Sequence, residues 1–107
     1  MTTVKFLYSE NVIVSFEING HTGIGSYGND ILCSAISSAA YMAANTIIEV
    51  LKISPETEIS DGHMKIQMNL HDAEKAKVVT DGLVLHMEGL SEQYPDNLKL
   101  ERGVFNA

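Results

Sequence analysis

Residues 30–52, "DILCSAISSAAYMAANTIIEVLK", decide the fold of the chain and contain its longest apolar region, around "AISSAAYMAANTIIEVL" at 35–51. The stretch has a helical pattern with Asn29 or Asp30 as the predicted N-cap, and Pro55 ends the helical region. Many Ala and Ser residues let neighbouring elements approach closely, and apolar residues occur on nearly every side. Such a helix has to be covered on more than one face. In a chain of 107 residues, a second subunit is a candidate for one of the covers.

The same stretch is broken by Ser, Asn and Glu and has no basic cluster beside it, so we interpret it as a buried helix and not as a membrane span. The N-terminus "MTTVKFLYSE" lacks the apolar run of a signal peptide. One cysteine cannot form an internal disulfide or a cysteine cluster for zinc. We therefore expect one cytoplasmic domain over residues 1–107, with no metal, no cofactor and no membrane.

Strand patterns flank this helix on both sides. Thr3–Tyr8 and Val12–Ile18 predict a first antiparallel hairpin. The segments "ETEIS" and "HMKIQMNL" flank Asp61-Gly62, a strong signal for a two-residue turn, and predict a second hairpin.

A second helix is predicted from a cap at 69–72 to about Gln93. Its apolar residues recur at spacings of three or four: Ala73, Ala76, Val79, Leu83, Met87 and Leu90. The segment "NLKLERGVF" predicts a last strand. The expected fold is α+β, in the order β-β-α-β-β-α-β, with a mainly antiparallel sheet and two helices.

The charge of the chain restricts its partners. Seven basic and fourteen acidic residues give a net charge of −7, which repels phosphate backbones and argues against direct nucleic-acid binding. A basic partner would be attracted to such a surface.

The loop before the first helix, "GHTGIGSYGNDILC" at residues 20–33, contains the pattern G-x-G-x-x-G. A dinucleotide site needs the helix to begin inside the glycine motif and an acidic residue at the end of the next parallel strand. Here the helix is predicted to begin after the motif, and Glu49 lies in that helix, so nucleotide binding is disfavoured. The loop glycines, which we expect to admit an extended peptide, are Gly20, Gly23, Gly25 and Gly28.

Cys33 and His21 are the candidate catalytic pair. Cys33 falls in the first turn of the predicted helix, where unpaired N–H groups and the helix dipole favour a thiolate. His21 ends the second predicted strand, and the glycine loop can bring its imidazole to the thiol. His21 would then move the thiol proton, and N–H groups at the helix start would receive the oxyanion.

Two more side chains are candidates for supporting roles. Asp30 could orient His21 or cap the helix, and Ser37 lies one turn after Cys33 on the same helix face. The residues alone leave a second interpretation open, because a lone cysteine in an apolar helix is often a small core residue. The remaining histidines are interpreted as solvated or helix-surface residues without metal-ligand spacing: His63, His71 and His86.

This spacing resembles the ribosomal-processing cysteine protease family (Prp), in which G-H precedes a glycine-rich loop, G-x-D-x-x-C and a serine four residues later. The matching positions here are Gly20, His21, Gly28, Asp30, Cys33 and Ser37. The resemblance extends over the whole chain, including "EQYPDNLKL" at residues 92–100. One departure is Ser34, where alanine is more usual, and it concerns the fit of the substrate.

The resemblance implies a catalytic His21 and Cys33, supported by Asp30 and Ser37. It further implies a cytoplasmic homodimeric endopeptidase that removes a short N-terminal extension from a large-subunit ribosomal protein, cleaving after aromatic residues. The acidic surface would then attract the basic ribosomal protein.

Two other functions are consistent with the sequence. A non-catalytic acidic module that associates with ribosomal components would use the same attraction and leave Cys33 inert. A thiol redox sensor is less favoured, because the chain has no second cysteine to resolve the oxidised form.

Overall fold

The computed structural model describes residues 1–20 and 27–106, with residues 27–30 described by their backbone alone. The first half of the chain comprises β1 (Thr2–Ser9), β2 (Val12–Asn19), α1 (Tyr27–Asn45) and a π-helical turn (Thr46–Val50). The second half comprises β3 (Glu56–Ser60), β4 (His63–Gln67), α2 (Leu70–Lys75), α3 (Lys77–Gln93) and β5 (Leu98–Val104). The predicted α+β class is confirmed, and so is the order of strands and helical segments.

The strands form one sheet in the order β3-β4-β2-β1-β5. Neighbouring strands are antiparallel except β5, which runs parallel to β1. Both predicted hairpins are present. In the second, Ser60 pairs with His63 across Asp61 and Gly62, and Gly62 has a φ of +71°, a value that glycine adopts without steric cost. The sheet is mainly antiparallel, as predicted.

Helix α1 supplies one side of the hydrophobic core. Its buried residues recur at spacings of three or four and share the core with apolar residues of the strands: Leu32, Ile36, Ala40 and Ala43. By length and hydropathy alone Ile31–Val50 would suffice to cross a membrane, a test that core helices of folded domains also pass. The opposite face of α1 carries exposed apolar side chains, Ile31 and Met42 among them, so this chain by itself covers only part of the helix.

The second helical segment differs from the prediction, because it is two helices and not one. The backbone leaves helical geometry at Ala76, where φ is −90° and ψ is 2°. Asn69 caps α2 by accepting a hydrogen bond from the Asp72 N–H at 2.8 Å, as predicted. The predicted apolar stripe continues through the break, with Ala73, Leu83 and Met87 all buried. The periodicity gave no signal of the break because Ala76 is a strong helix former.

The beginning of α1 also differs from the prediction. The helix starts at Tyr27, before Asn29 and Asp30, so neither residue is its N-cap. The helix also starts inside the glycine motif, and not after the motif as predicted. Glu49 nevertheless lies in the π-helical turn that continues α1 and not at the end of a parallel strand, so that requirement of a dinucleotide site is still unmet. Only the first four N–H groups of a helix lack an intrahelical partner. Cys33 therefore lies in the second turn and not in the first.

Candidate active site

A pocket of about 250 Å³ opens between α1 and the end of the sheet formed by β2 and the β3–β4 turn. Its wall combines one face of the helix, the turn, and the first residue of β1. The described residues that line it are Thr2, Ile18, Gly20, Cys33, Ile36, Ser37, Ala40, Tyr41, Ser60, Asp61, Gly62, His63 and Met64. The pocket is mostly apolar, with polar groups gathered around the thiol and the turn.

The helix wall of the pocket presents Cys33, Ser37 and Tyr41. These residues are spaced four apart, which places them one above another on the same face of α1. Cys33 is half-buried, Ser37 is exposed, and Tyr41 is 45% exposed. A partly accessible thiol in a concave wall can reach a ligand, which a thiol packed in the core could not.

The sheet wall of the pocket depends on Gly20. Its φ is +93°, and an added Cβ would lie 2.7 Å from the carbonyl oxygen of Met1, so only glycine fits there without strain. Its N–H donates to the Gly62 carbonyl oxygen at 2.9 Å. This hydrogen bond joins the end of β2 to the β3–β4 turn. Gly20, the residue bonded to His21, therefore lies at the pocket.

The structure brings three of the residues predicted for the site to this pocket: Gly20, Cys33 and Ser37. His21, Gly23 and Gly25 lie outside the described residues. Gly28 and Asp30 belong to the first turn of α1, where the backbone alone is described. Of the two roles considered for Asp30, capping the helix is therefore wrong, and orienting His21 stays a prediction.

The predicted activation of Cys33 by the helix start also needs correction. The dipole effect falls off within the first turn, and the N–H of Cys33 belongs to the internal helical ladder. The same argument removes the Cys33 amide as an oxyanion donor at a helix start. Activation of this thiol then depends on a neighbouring base.

Sequence reasoning missed the other walls of the pocket, Tyr41 and the Ser60–Gly62 segment. Tyr41 has a recoverable signal, because it follows Cys33 and Ser37 at the same four-residue spacing. The turn itself was predicted, but its position beside the thiol depends on the pairing of β4 with β2, which brings Gly62 opposite Gly20.

The sequence predicted a solvated His63, but the structure places its ring in contact with two side chains. Its Nδ1 is 2.6 Å from Asn19 Oδ1, and its Nε2 is 3.4 Å from a carboxylate oxygen of Glu58. Met64 and Ile18, the next residues of the paired strands, point into the core. The His63 imidazole is therefore a structural partner of β2 and β3, and the residue also lines the pocket beside the β3–β4 turn.

The chain is similar to known proteins over most of its length. The profile of the family described as Cysteine protease Prp matches residues 1–99. The ribosomal processing cysteine protease Prp of Bacillus subtilis (strain 168) is 24% identical over 98 residues, which cover 86% of this chain and 88% of that protein.

Proteins of known structure share the fold of this chain. SMU.848 from Streptococcus mutans has a TM-score of 0.81 at 28% identity, with 98% of this chain and 96% of that chain covered. An essential ribosomal processing protease Prp from S. aureus, in complex with a covalently linked product peptide, has a TM-score of 0.83 at 25% identity, with 95% and 99% covered.

The family profile covers both walls of the pocket, from Thr2 through the β3–β4 turn. The single thiol of the chain lies in that pocket. Together these observations show that the chain belongs to the Prp family of cysteine proteases.

Proposed function

We propose that this chain is an endopeptidase that removes a short N-terminal extension from a large-subunit ribosomal protein and cleaves after aromatic residues. Cys33 is the nucleophile, and His21 is the general base and acid. The observation that carries the proposal is the half-buried thiol in a pocket whose opposite wall ends at Gly20, the residue before His21. The S. aureus relative, described with a covalently linked product peptide, fits the same chemistry.

The proposed reaction has two steps. His21 takes the proton of the Cys33 thiol, the sulfur attacks the scissile carbonyl carbon, and the C–N bond breaks as His21 gives the proton to the leaving amine. In the second step His21 takes a proton from water, whose oxygen attacks the thioester. The C–S bond then breaks, His21 returns its proton to the sulfur, and the acid product leaves and releases its remaining proton to solvent as it ionises to a carboxylate. Ser37 is positioned to bind the peptide next to the thiol.

The shape of the pocket supports an aromatic side chain before the scissile bond. A cavity of roughly 150 Å³ is enough to hold a benzene ring, and this pocket offers about 250 Å³. Ile18, Ile36 and Met64 give it apolar walls, and the Tyr41 ring stands at the helix wall. An aromatic ring placed there would be desolvated beside the thiol.

The charge of the chain supports a basic substrate. A net charge of −7 attracts the positively charged segments typical of ribosomal proteins. The proposal includes a cytoplasmic location, where such substrates are made and where a protein with one cysteine needs no oxidising compartment.

The direct test is incubation of the purified protein with a large-subunit ribosomal protein whose N-terminal extension ends in two aromatic residues. We expect one cut after the aromatics, read as two product masses. Replacing both aromatics with alanine should lower kcat/KM by about 100-fold, because the apolar pocket then stays unfilled. An intact substrate that still co-elutes with the protein would favour the non-catalytic binding module instead.

We also propose that the chain acts as a homodimer through the α1/α3 groove, a surface that we define by Ala39, Met42, Val78, Gly82 and His86. Val78 is 86% exposed, and Leu85 extends the apolar surface along the neighbouring groove. Small residues in the groove let a second helix approach closely. A second copy would cover the face of α1 that the single chain leaves exposed.

Val78→Glu should convert the dimer to a monomer, because a charge at the centre of an apolar interface is desolvated without a partner. Light scattering at micromolar concentration should give about twice the 11.7 kDa chain mass for the wild type and the single mass for the variant. Val104→Glu is the matched control, since Val104 is 72% exposed at the far end of β5. A monomeric wild type would refute the dimer.

A further inference from the structure

Strand β3 is an edge strand whose outer side has no partner among the described residues. It ends the sheet in the order β3-β4-β2-β1-β5, and all five of its residues are exposed. Edge strands of this kind are templates for pairing with another extended segment unless something blocks them. The first residue of β3 follows Pro55, but residues 56–60 contain no proline and no bulge.

The hydrogen-bond pattern decides which groups face the open edge. Gly20 N–H donates to the Gly62 carbonyl, and Met68 N–H donates to the Val14 carbonyl. The even-numbered residues of β4 therefore direct their backbone groups toward β2, and its odd-numbered residues direct theirs toward β3. In β3, the residues that pair with the odd-numbered residues of β4 are 56, 58 and 60. The N–H and C=O groups of Thr57 and Ile59 consequently point outward.

The open edge leads directly to the pocket of Cys33. Ser60, the last residue of β3, lines that pocket together with Asp61 and the thiol. At about 3.3 Å per residue, the strand extends some 15 Å away from the pocket. A peptide that enters the pocket in extended form can continue along β3 for about four residues.

The two faces of β3 differ in chemistry. Glu56 and Glu58 share the face that points away from the helices, where Glu58 lies beside His63. Ile59 is on the helix-facing side, 52% exposed and opposite the buried Met64. An added strand with basic residues on the first face and an apolar residue on the second would match both.

We propose that β3 binds the substrate by strand addition: an extended basic segment some residues away from the scissile bond pairs with the outward groups of Thr57 and Ile59. This inference rests on the proposed peptidase function and assigns a specificity surface outside the pocket. Backbone pairing supplies the affinity, and Glu56 and Glu58 select basic side chains at alternate positions of the bound segment.

Thr57→Pro tests the pairing, because it removes an outward N–H and leaves the bonds to β4 intact. Thr57→Val is the matched control that keeps the N–H. Two peptides with the same scissile bond are compared, one of about four residues and one extended by about six residues on each side with alternating lysines. We expect Thr57→Pro to lower kcat/KM for the long peptide about tenfold, with the short peptide and Thr57→Val unchanged.

Wild-type protein with N-methylated long peptides provides a test that needs no variant. N-methylation should reduce kcat/KM about tenfold at alternate positions of the bound segment and have little effect between them. Failure of the wild type to cleave either peptide would reject the peptidase function. If Thr57→Pro cleaves both peptides and changes kcat/KM equally for the long and the short one, strand addition is overturned. A profile in which N-methylation has no alternating effect on kcat/KM would overturn it as well. Loss of the dimer in Thr57→Pro would assign the edge to a second copy and also overturn it.

Discussion

Replacing Cys33 with alanine is expected to lower kcat for peptide cleavage by about 10⁴-fold or more, with the fold retained. Removal of a covalent nucleophile leaves only the contributions of binding and positioning to the rate. The side chain is half-buried at the pocket wall, so its loss opens no cavity in the core and should change the free energy of unfolding by less than about 1 kcal/mol. Product masses give the rate, and thermal unfolding gives the stability.

The matched control for this variant is Asn45→Ala. Asn45 is exposed at the end of α1 and lines neither the pocket of Cys33 nor the α1/α3 groove. Its replacement should leave kcat unchanged, because the side chain lies outside both surfaces. Turnover by Cys33→Ala at more than a few per cent of the wild-type rate would assign catalysis to another group and leave Cys33 as a packing residue.

The strands and the core helix were predictable because their signals are local. The local signals are the alternation in Val12–Ile18, the Asp61-Gly62 turn and the helical pattern of residues 30–52, which follow from side-chain periodicity or turn chemistry. The parallel pairing of β5 with β1 was not predicted, since it joins the two ends of the sequence and no local pattern specifies a strand's distant neighbour.

The candidate site was predictable where residues are close in sequence. Cys33 and Ser37 share a helix face because they are four residues apart, and the structure places both in the pocket. Tyr41 extends the same spacing but looks like a core residue in an apolar helix. The β3–β4 wall reaches the thiol only through pairing with β2, a long-range contact that spacing along the chain does not encode.

Because Cys33 lies in the second turn of α1, activation of its thiol depends more on the predicted base, His21, than the sequence suggested. Without help from the helix start, the thiol needs a base to become a nucleophile near neutral pH. Gly20, the residue bonded to His21, lines the pocket, and its N–H donates to the Gly62 carbonyl oxygen at 2.9 Å.

His21→Ala should therefore lower kcat by about 10³- to 10⁴-fold and slow the labelling of Cys33 by iodoacetamide at neutral pH. His71→Ala is the matched control, because His71 is exposed on α2 and does not line the pocket. Added imidazole should restore part of the rate in His21→Ala, since a free base can occupy the space that the side chain left. Such rescue would separate the loss of a base from a change in fold, which a soluble base could not repair. Labelling of His21→Ala at the wild-type rate would contradict the dyad, because the thiol would then be activated without this histidine.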